Sequence, residues 1–298
     1  MRAAWMLLTG ALVVVCALPA AADSSPPAAK DLSARLAGIA NLGMPSPALP
    51  IAAGWFLMGS TRVDDDPYGL HTQYDDTELP QHKVWLDAYA IDRDEVSLGE
   101  YLAHLSKQQR PTPDELRKLI WHMITVHAAT DESLARWPAL YVTWADADNF
   151  CRSIGKRLPT EAEWEKAARG ESANLFPWGT QAPADRLAVF GQYHVHEIPL
   201  VQPVGSGEAG ASPYGARHMA GNVAEWVQDW FLFDYYAITP NRNPAGPRDG
   251  RYRGVRGGSW KSKPMMLRAA TRSGAPPDQR AATVGFRCAA SAPLSSPR

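Results

Sequence analysis

YVTWADADNFCRSIGKRLPTEAEWEKAARG, residues 141–170, carries two helix starts and two helix stops within thirty residues. Thr143 stands three residues before Asp146, and Thr160 three before Glu163. Each pair sets a hydroxyl to cap a backbone amide and a carboxylate to answer it, so helices are predicted over 144–154 and 161–169. Gly155 and Gly170 follow directly, where a left-handed residue ends a helix. The same device recurs upstream. Ser97 with Glu100 predicts a helix over 98–108, and Thr112 with Pro113 and Glu115 predicts one over 113–127. Strand-like alternation marks GWFLMGS at 54–60, HKVWLDAYAID at 82–92 and RYRGVRGGSW at 251–260, whereas most of 171–260 is punctuated by Gly and Pro and reads as loop. Eleven Trp and ten Tyr suit a loop-rich fold held by aromatic plugs.

The chain has 298 residues and a formal net charge of −1. That balance gives no global attraction to nucleic acid. Arg2 precedes an apolar run, Trp5 to Leu18, that is too short to span a bilayer and ends in small residues at Ala22. This predicts a cleaved leader, 1–22, and a periplasmic or secreted protein. Val15 sits where a lipoprotein signal at Cys16 would need a small residue. Residues 23–50 are rich in Ala, Pro and Ser, with one amphipathic patch from Asp31 to Ile39, and read as a flexible linker or weakly docked arm. A single domain is expected over 51–290 and a disordered tail over 291–298, with no internal repeat. Charge is uneven: residues 61–80 carry six acids and one base, and 242–287 carry eleven bases and two acids. The two segments face each other, a ligand, or solvent.

Removing the leader leaves two cysteines, Cys151 and Cys288. In an exported chain two thiols suggest one disulfide; a metal or catalytic pair is the competing reading, although their spacing matches no ligand motif.

Taken together, GWFLMGS, DAYAIDRDEVS at 87–97, the 141–170 stretch, FPWG at 176–179, GNVAEWVQDW at 221–230, RGGSW at 256–260 and GFRCA at 285–289 resemble the sulfatase-modifying-factor, or formylglycine-generating-enzyme, domain. The resemblance runs in collinear order over about 50–290. It implies an α+β fold: a single loop-rich domain, a C-type-lectin-like variant. It also implies a structural disulfide between Cys151 and Cys288. The copper- and oxygen-dependent members carry two cysteines after the GGS-aromatic strand, because soft thiolates hold Cu(I). Ser262 stands at the first of those positions, and the loop for the second is missing, so the thiol-copper route and formylglycine generation itself are not expected. Adjacent Met265 and Met266 are read as packing rather than as copper ligands.

The resemblance further implies a substrate groove. Ser259 matches the family's active-site serine, Trp260 the aromatic beside it, and Arg268 and Arg272 the arginines that follow; the competing reading pairs those arginines with internal acids such as those of EAEWE at 161–165. Gly257 and Gly258 would admit an extended peptide. A calcium site of the family falls on His218, Gly221, Val223 and Glu225, with His218 where an amide side chain belongs; a further family site is not expected, because Val189 replaces its Asn. The acidic segment 64–82 offers Asp64, Asp65, Asp66, His71, Asp75, Asp76, Glu78 and His82, at a spacing that matches no EF-hand. His122 and His127 are five apart, which predicts separate faces of their helix. Thiol-free relatives include a periplasmic branch that matures a siderophore chromophore precursor. The resemblance therefore implies oxidative maturation of an exported protein, peptide or peptide-derived metabolite, with a non-catalytic peptide- or partner-binding module as the alternative.

Overall fold

The computed structural model describes residues 29–61, 76–193 and 198–291. The expected leader, the acidic stretch 62–75 and the tail beyond Ser291 lie outside the described residues. In chain order the elements are α1 (Ala29–Ala40), β1 (Ala48–Ile51), β2 (Gly54–Met58), β3 (His82–Leu86), β4 (Tyr89–Asp92), α2 (Leu98–Lys107), α3 (Asp114–His127), α4 (Asp131–Ala135), α5 (Trp144–Ser153), α6 (Glu161–Arg169), β5 (Ala224–Phe231), α7 (Tyr235–Ile238), β6 (Tyr252–Arg256), β7 (Arg272–Ala275), β8 (Val284–Gly285) and β9 (Ala289–Ser291).

Three of the four predicted helix starts form as their capping residues dictate. Ser97, Thr143 and Thr160 each accept the amide of the residue three positions on, and Glu100, Asp146 and Glu163 accept the cap's own amide in return. Gly155 and Gly170 both take positive φ, 74° and 72°. The fourth start differs. Pro113, with an extended ψ of 142°, is itself the N-cap of α3, which leaves Thr112 outside the helix.

The apolar faces of these helices decide the packing. Leu98, Tyr101, Leu102 and Leu105 on α2, and Leu116, Leu119, Ile120 and Met123 on α3, recur at helical spacing and are buried. They meet Phe150, Trp226, Phe286 and the Cys151–Cys288 disulfide in one core. A second core gathers Phe56, Val84, Tyr89, Trp164, Val227 and Tyr236 between the β2–β3 hairpin and α6. Three small sheets frame these cores: β1-β4-β9, β2-β3, and β7-β6-β5-β8, in which only the β5–β8 pair is parallel.

Two expectations need correction. Residues 29–50 are not a loose arm: Leu32, Leu36 and Ala40 pack on the first core, Ile39 is buried within it, Arg35 pairs with Asp131 at 2.7 Å, and β1 joins β4 in register. The helical spacing of those apolar residues outweighs the Ala/Pro/Ser composition around them. Within the supposed loop region, β5 is the longest described strand, with Glu225, Trp226, Val227 and Asp229 buried. It is buried on both faces, so its side chains lack the polar alternation that announces a strand.

Arginine–aromatic contacts tie α5 to the β5–β6 pair. The guanidinium of Arg253 lies 3.6 Å from the ring centroids of both Trp144 and Trp230, and its Nη1 donates to the Gln228 carbonyl at 2.6 Å.

The disulfide joins α5 to the start of β9 across 137 residues. Closing a loop of that length limits the unfolded chain, and its removal is expected to cost about 5 kcal/mol. Cys151→Ala combined with Cys288→Ala should therefore lower the unfolding free energy in urea by about that amount; an unchanged midpoint would show that the link carries no stability.

Candidate functional site

Strand β6 runs into the Gly257–Gly258 turn, where φ is 89° and 68°. A Cβ on Gly257 would sit 3.1 Å from the Trp164 ring and 3.2 Å from the Met219 carbonyl, and one on Gly258 would sit 2.9 Å from the Met266 carbonyl. The bare backbone thus serves the protein's own packing, which corrects the expectation that these glycines admit a peptide. The next residues form a closed turn. The Ser259 amide donates to Ser262 Oγ at 2.9 Å, and the Ser262 amide donates to the Ser259 carbonyl at 2.8 Å. Buried Trp260 donates its indole N–H to the Ala282 carbonyl at 2.9 Å. Carbonyls of Trp260 and Ser262 accept the amides of Gln192 and Gly191, both at 2.9 Å. Ser259, Trp260 and Ser262 are therefore brought together. Lys261, Ser262, Met265 and Met266 are half-buried.

The two arginines do not belong to this surface. Arg268 forms a two-pronged pair with buried Glu78, at 2.6 and 2.7 Å. Arg272 clasps Glu161 through Nε and Nη2, both at 2.9 Å, and donates to the Thr77 carbonyl at 2.7 Å. All four side chains are at most 3% exposed. Their assignment to a substrate groove is corrected: the sequence's competing reading, pairing with the acids of α6, holds for Arg272, while Arg268 takes Glu78 from the end of the acidic segment.

Glu161 and Glu165 are four apart and share a face of α6, so both enter the same brace. Glu165 accepts from Arg256 at 2.7 Å, Arg169 at 3.0 Å, the Gly59 amide at 2.7 Å and the Tyr236 hydroxyl at 2.9 Å. Burial alone would raise its pKa; Arg256, Arg169 and the two neutral donors outweigh that and hold it below the ordinary value. Burial, Glu161 and Glu165 push the Tyr236 phenol well above its usual value, so it stays a donor.

The calcium expectation fails on its donor set. Both oxygens of Glu225 are taken by Arg287, each at 2.7 Å, and Oε2 also accepts the Trp164 indole N–H at 2.9 Å. A guanidinium already supplies the positive charge that a bound ion would bring. His218 offers ring nitrogen, with Nε2 3.2 Å from Ser206 Oγ, where calcium requires oxygen. Gly221 and Val223 donate their amides to the Gly257 carbonyl and to Glu95 at 3.0 and 3.3 Å, which fixes this loop from within. The residues present do not fit calcium. Ser262 and two half-buried methionines likewise do not make a thiolate copper site.

Asp64, Asp65, Asp66, His71 and Asp75 lie outside the described residues; Glu78 is committed to Arg268, and His82 Nδ1 sits 2.8 Å from the Pro80 carbonyl. No group of three or more His, Cys, Asp or Glu suited to a metal occurs among the described residues. His122 and His127, expected on separate faces, are in edge-to-face contact with ring centroids 5.2 Å apart. Their contact at the end of α3 shows that ring reach, not Cα spacing alone, sets which side chains meet. What sequence reasoning missed is the pairing: Glu78, Arg256 and Arg287 stand in stretches already singled out, but nothing local shows which buried charge each one meets.

Loop-rich, with mixed α and β elements around two cores and a GGS-aromatic turn after β6, this architecture is that of a formylglycine-generating-enzyme-like domain. The chain belongs to the family of the sulfatase-modifying factor enzyme 1-like domain, whose model matches residues 42–292. It is 31% identical over 290 residues to the formylglycine-generating enzyme of Mus musculus, covering 81% of this chain and 74% of that one. It is 38% identical over 221 residues to the serine/threonine-protein kinase pkn1 of Chlamydia pneumoniae, covering 71% of this chain but only 34% of the kinase, so the match spans about a third of that relative's length. Among solved structures it is similar to PvdO from Pseudomonas aeruginosa, with a TM-score of 0.63 and 27% identity over 82% of this chain and 94% of that one.

Two outcomes test these assignments. Arg268→Met leaves Glu78 buried without its cation and should cost about 3–5 kcal/mol in urea unfolding, with most of the loss recovered on adding Glu78→Gln; equal stability of all three proteins would contradict a structural pair. His218 is lowered to about 4 by burial and by Arg287, against the opposing pull of Asp94. Between its ordinary value of about 6.5 and about 4, the unfolded chain takes up a proton that the folded one refuses. This group therefore withdraws about 3 kcal/mol of stability as pH falls through that window. His218→Asn, which suits the positive φ of 53° at this position, should show a correspondingly shallower loss between pH 6.5 and 4; parallel curves would refute it.

Proposed function

We propose that this protein acts in the maturation of an exported protein, peptide or peptide-derived metabolite by oxidative modification, without thiolate-held copper. The observation that carries the reading is the Ser259–Ser262 turn. Lys261 and Ser262 are half-exposed there, and a hydroxyl already bonded to the Ser259 amide stands where the resemblance calls for a metal-binding sulfur. A hydroxyl is neither a Cu(I) ligand of useful affinity nor a partner in thiol exchange. Export to the periplasm or beyond is supported by the leader pattern at 1–22 and by the Cys151–Cys288 disulfide, which suits an oxidising compartment. No helix among the described residues is long and apolar enough to cross a membrane.

The oxidation balances without a protein thiol when the substrate gives up two hydrogen atoms and dioxygen takes them as hydrogen peroxide. A second reading is a non-catalytic module that grips an extended peptide or a partner; it is favoured because the Ser262 hydroxyl is engaged within its own turn, which leaves no thiol there for chemistry.

Incubation of the full chain with an exported-protein fraction and dioxygen should yield a peptide or metabolite that has lost two hydrogens, with matching peroxide, and Lys261→Glu should abolish the product. A bound but chemically unchanged peptide that is released by Lys261→Glu would replace the oxidative reading with the gripping one. Conversion of a sulfatase-type cysteine peptide to the aldehyde would contradict both.

A further inference from the structure

Residues 242–287 carry eleven bases against two acids, and most of that positive charge is spent inside the molecule. Arg242, Arg256, Arg268, Arg272, Arg280 and Arg287 each meet a carboxylate, and Arg253 is held between two indoles. Arg248, Arg251, Lys261 and Lys263 are left, and none of them makes an ion pair among the described residues.

These four fall in two places. Arg248 and Arg251 are exposed just before β6, with Arg251 over the Tyr252 ring at 5.4 Å. Lys261 and Lys263 stand beyond the other end of β6, on either side of Ser262. Lys261 is positioned rather than loose. Its Nζ lies 4.9 Å from the centroid of the buried Trp260 ring, and its amide donates to Ser259 Oγ at 3.3 Å. Lys263 is exposed, and its carbonyl accepts the Met266 amide at 2.9 Å, which closes the next turn. Backbone bonds on both sides of Ser262 therefore hold two like charges two residues apart, with no carboxylate between them.

Like charges fixed in this way repel one another and draw anions to the surface between them. An ammonium is a compact point charge that accepts any oxyanion, and in an unmodified peptide the oxyanions are the carboxylates of Asp, Glu and the C-terminus. Half-buried Met265 and Met266 add an adaptable apolar border to the same surface.

We infer that the peptide met by the Ser259–Ser262 turn is acidic, with carboxylates that Lys261 and Lys263 receive on either side of Ser262. The inference rests on the reading that this turn faces the substrate, and it names the substrate's charge. The test measures fluorescence anisotropy of short rhodamine-labelled peptides with the full chain at low salt and without dioxygen. The peptides share one neutral core and carry Glu, Gln or Lys on both sides of it. The Glu peptide should bind about tenfold more tightly than the Gln peptide, and the preference should fade as salt rises. Lys261→Glu combined with Lys263→Glu should reverse the order and favour the Lys peptide, a gain that a misfolded variant could not show. Arg248→Glu combined with Arg251→Glu makes the same change in net charge at the other end of β6 and should leave the order as in the parent chain. The inference is overturned if the Glu and Gln peptides bind alike, if neither binds, or if the Arg248 and Arg251 reversals shift the order as much as the lysine reversals. Because binding is read without turnover, absence of the peroxide-forming oxidation would defeat the proposed function while leaving this preference intact.

Discussion

Helix α6 carries a cluster of buried charge into the second core, beside the apolar packing of Ala162, Trp164, Ala167 and Ala168. Every residue of Glu161–Arg169 is buried, and the helix meets its neighbours with the carboxylates of Glu161, Glu163 and Glu165. Arg256 from β6, Arg272 from β7, Arg157 from the preceding loop and Arg169 from the helix itself close on them. Removing charges from water is expensive, and such a cluster is tolerated only when each lone pair and each N–H finds a partner. Here the Gly59 amide, the Tyr236 hydroxyl and the carbonyls of Ala269 and Ala270 complete most of the set; Arg256 Nε is left without one.

This brace governs how the segment after β6 is to be understood. The GGS-aromatic turn and the two arginines beyond it resemble a functional signature, yet each part serves the fold. The glycines make room for Trp164 and for the Met266 carbonyl, and Arg268 and Arg272 anchor Glu78 and Glu161. A second cluster does the same around Glu225 and Arg287, where a guanidinium occupies the place expected of a divalent ion. In this chain the turn and the arginines beyond it are parts of the fold, and Ser262 stands where the resemblance implies a sulfur.

Much of this was legible in the residues. Three capping boxes fixed three helices, because a cap and its answering carboxylate are local and leave little choice. The fold class followed from seven short segments in order, and the pairing of Cys151 with Cys288 from the same resemblance. What stayed hidden depended on contacts distant in sequence. Glu78 looks like part of a solvated acidic run because nothing nearby announces Arg268, 190 residues on. Strand β5 lacks alternation because both of its faces are covered, and α1 is masked by its Ala/Pro/Ser surroundings although Leu32, Leu36 and Ile39 keep helical spacing. The calcium pattern misleads for a similar reason, since the Arg287 that fills it belongs to GFRCA, a motif whose cysteine is its only conspicuous feature.

Neither Cys151 nor Cys288 is available as a thiol, and the functional reading rests on that claim. Alkylation of the native chain before and after reduction, followed by peptide mapping, tests it most directly. Both cysteines should remain unlabelled until the protein is unfolded and reduced. Labelling of either one in the native, unreduced protein would contradict the claim and return sulfur chemistry to this fold.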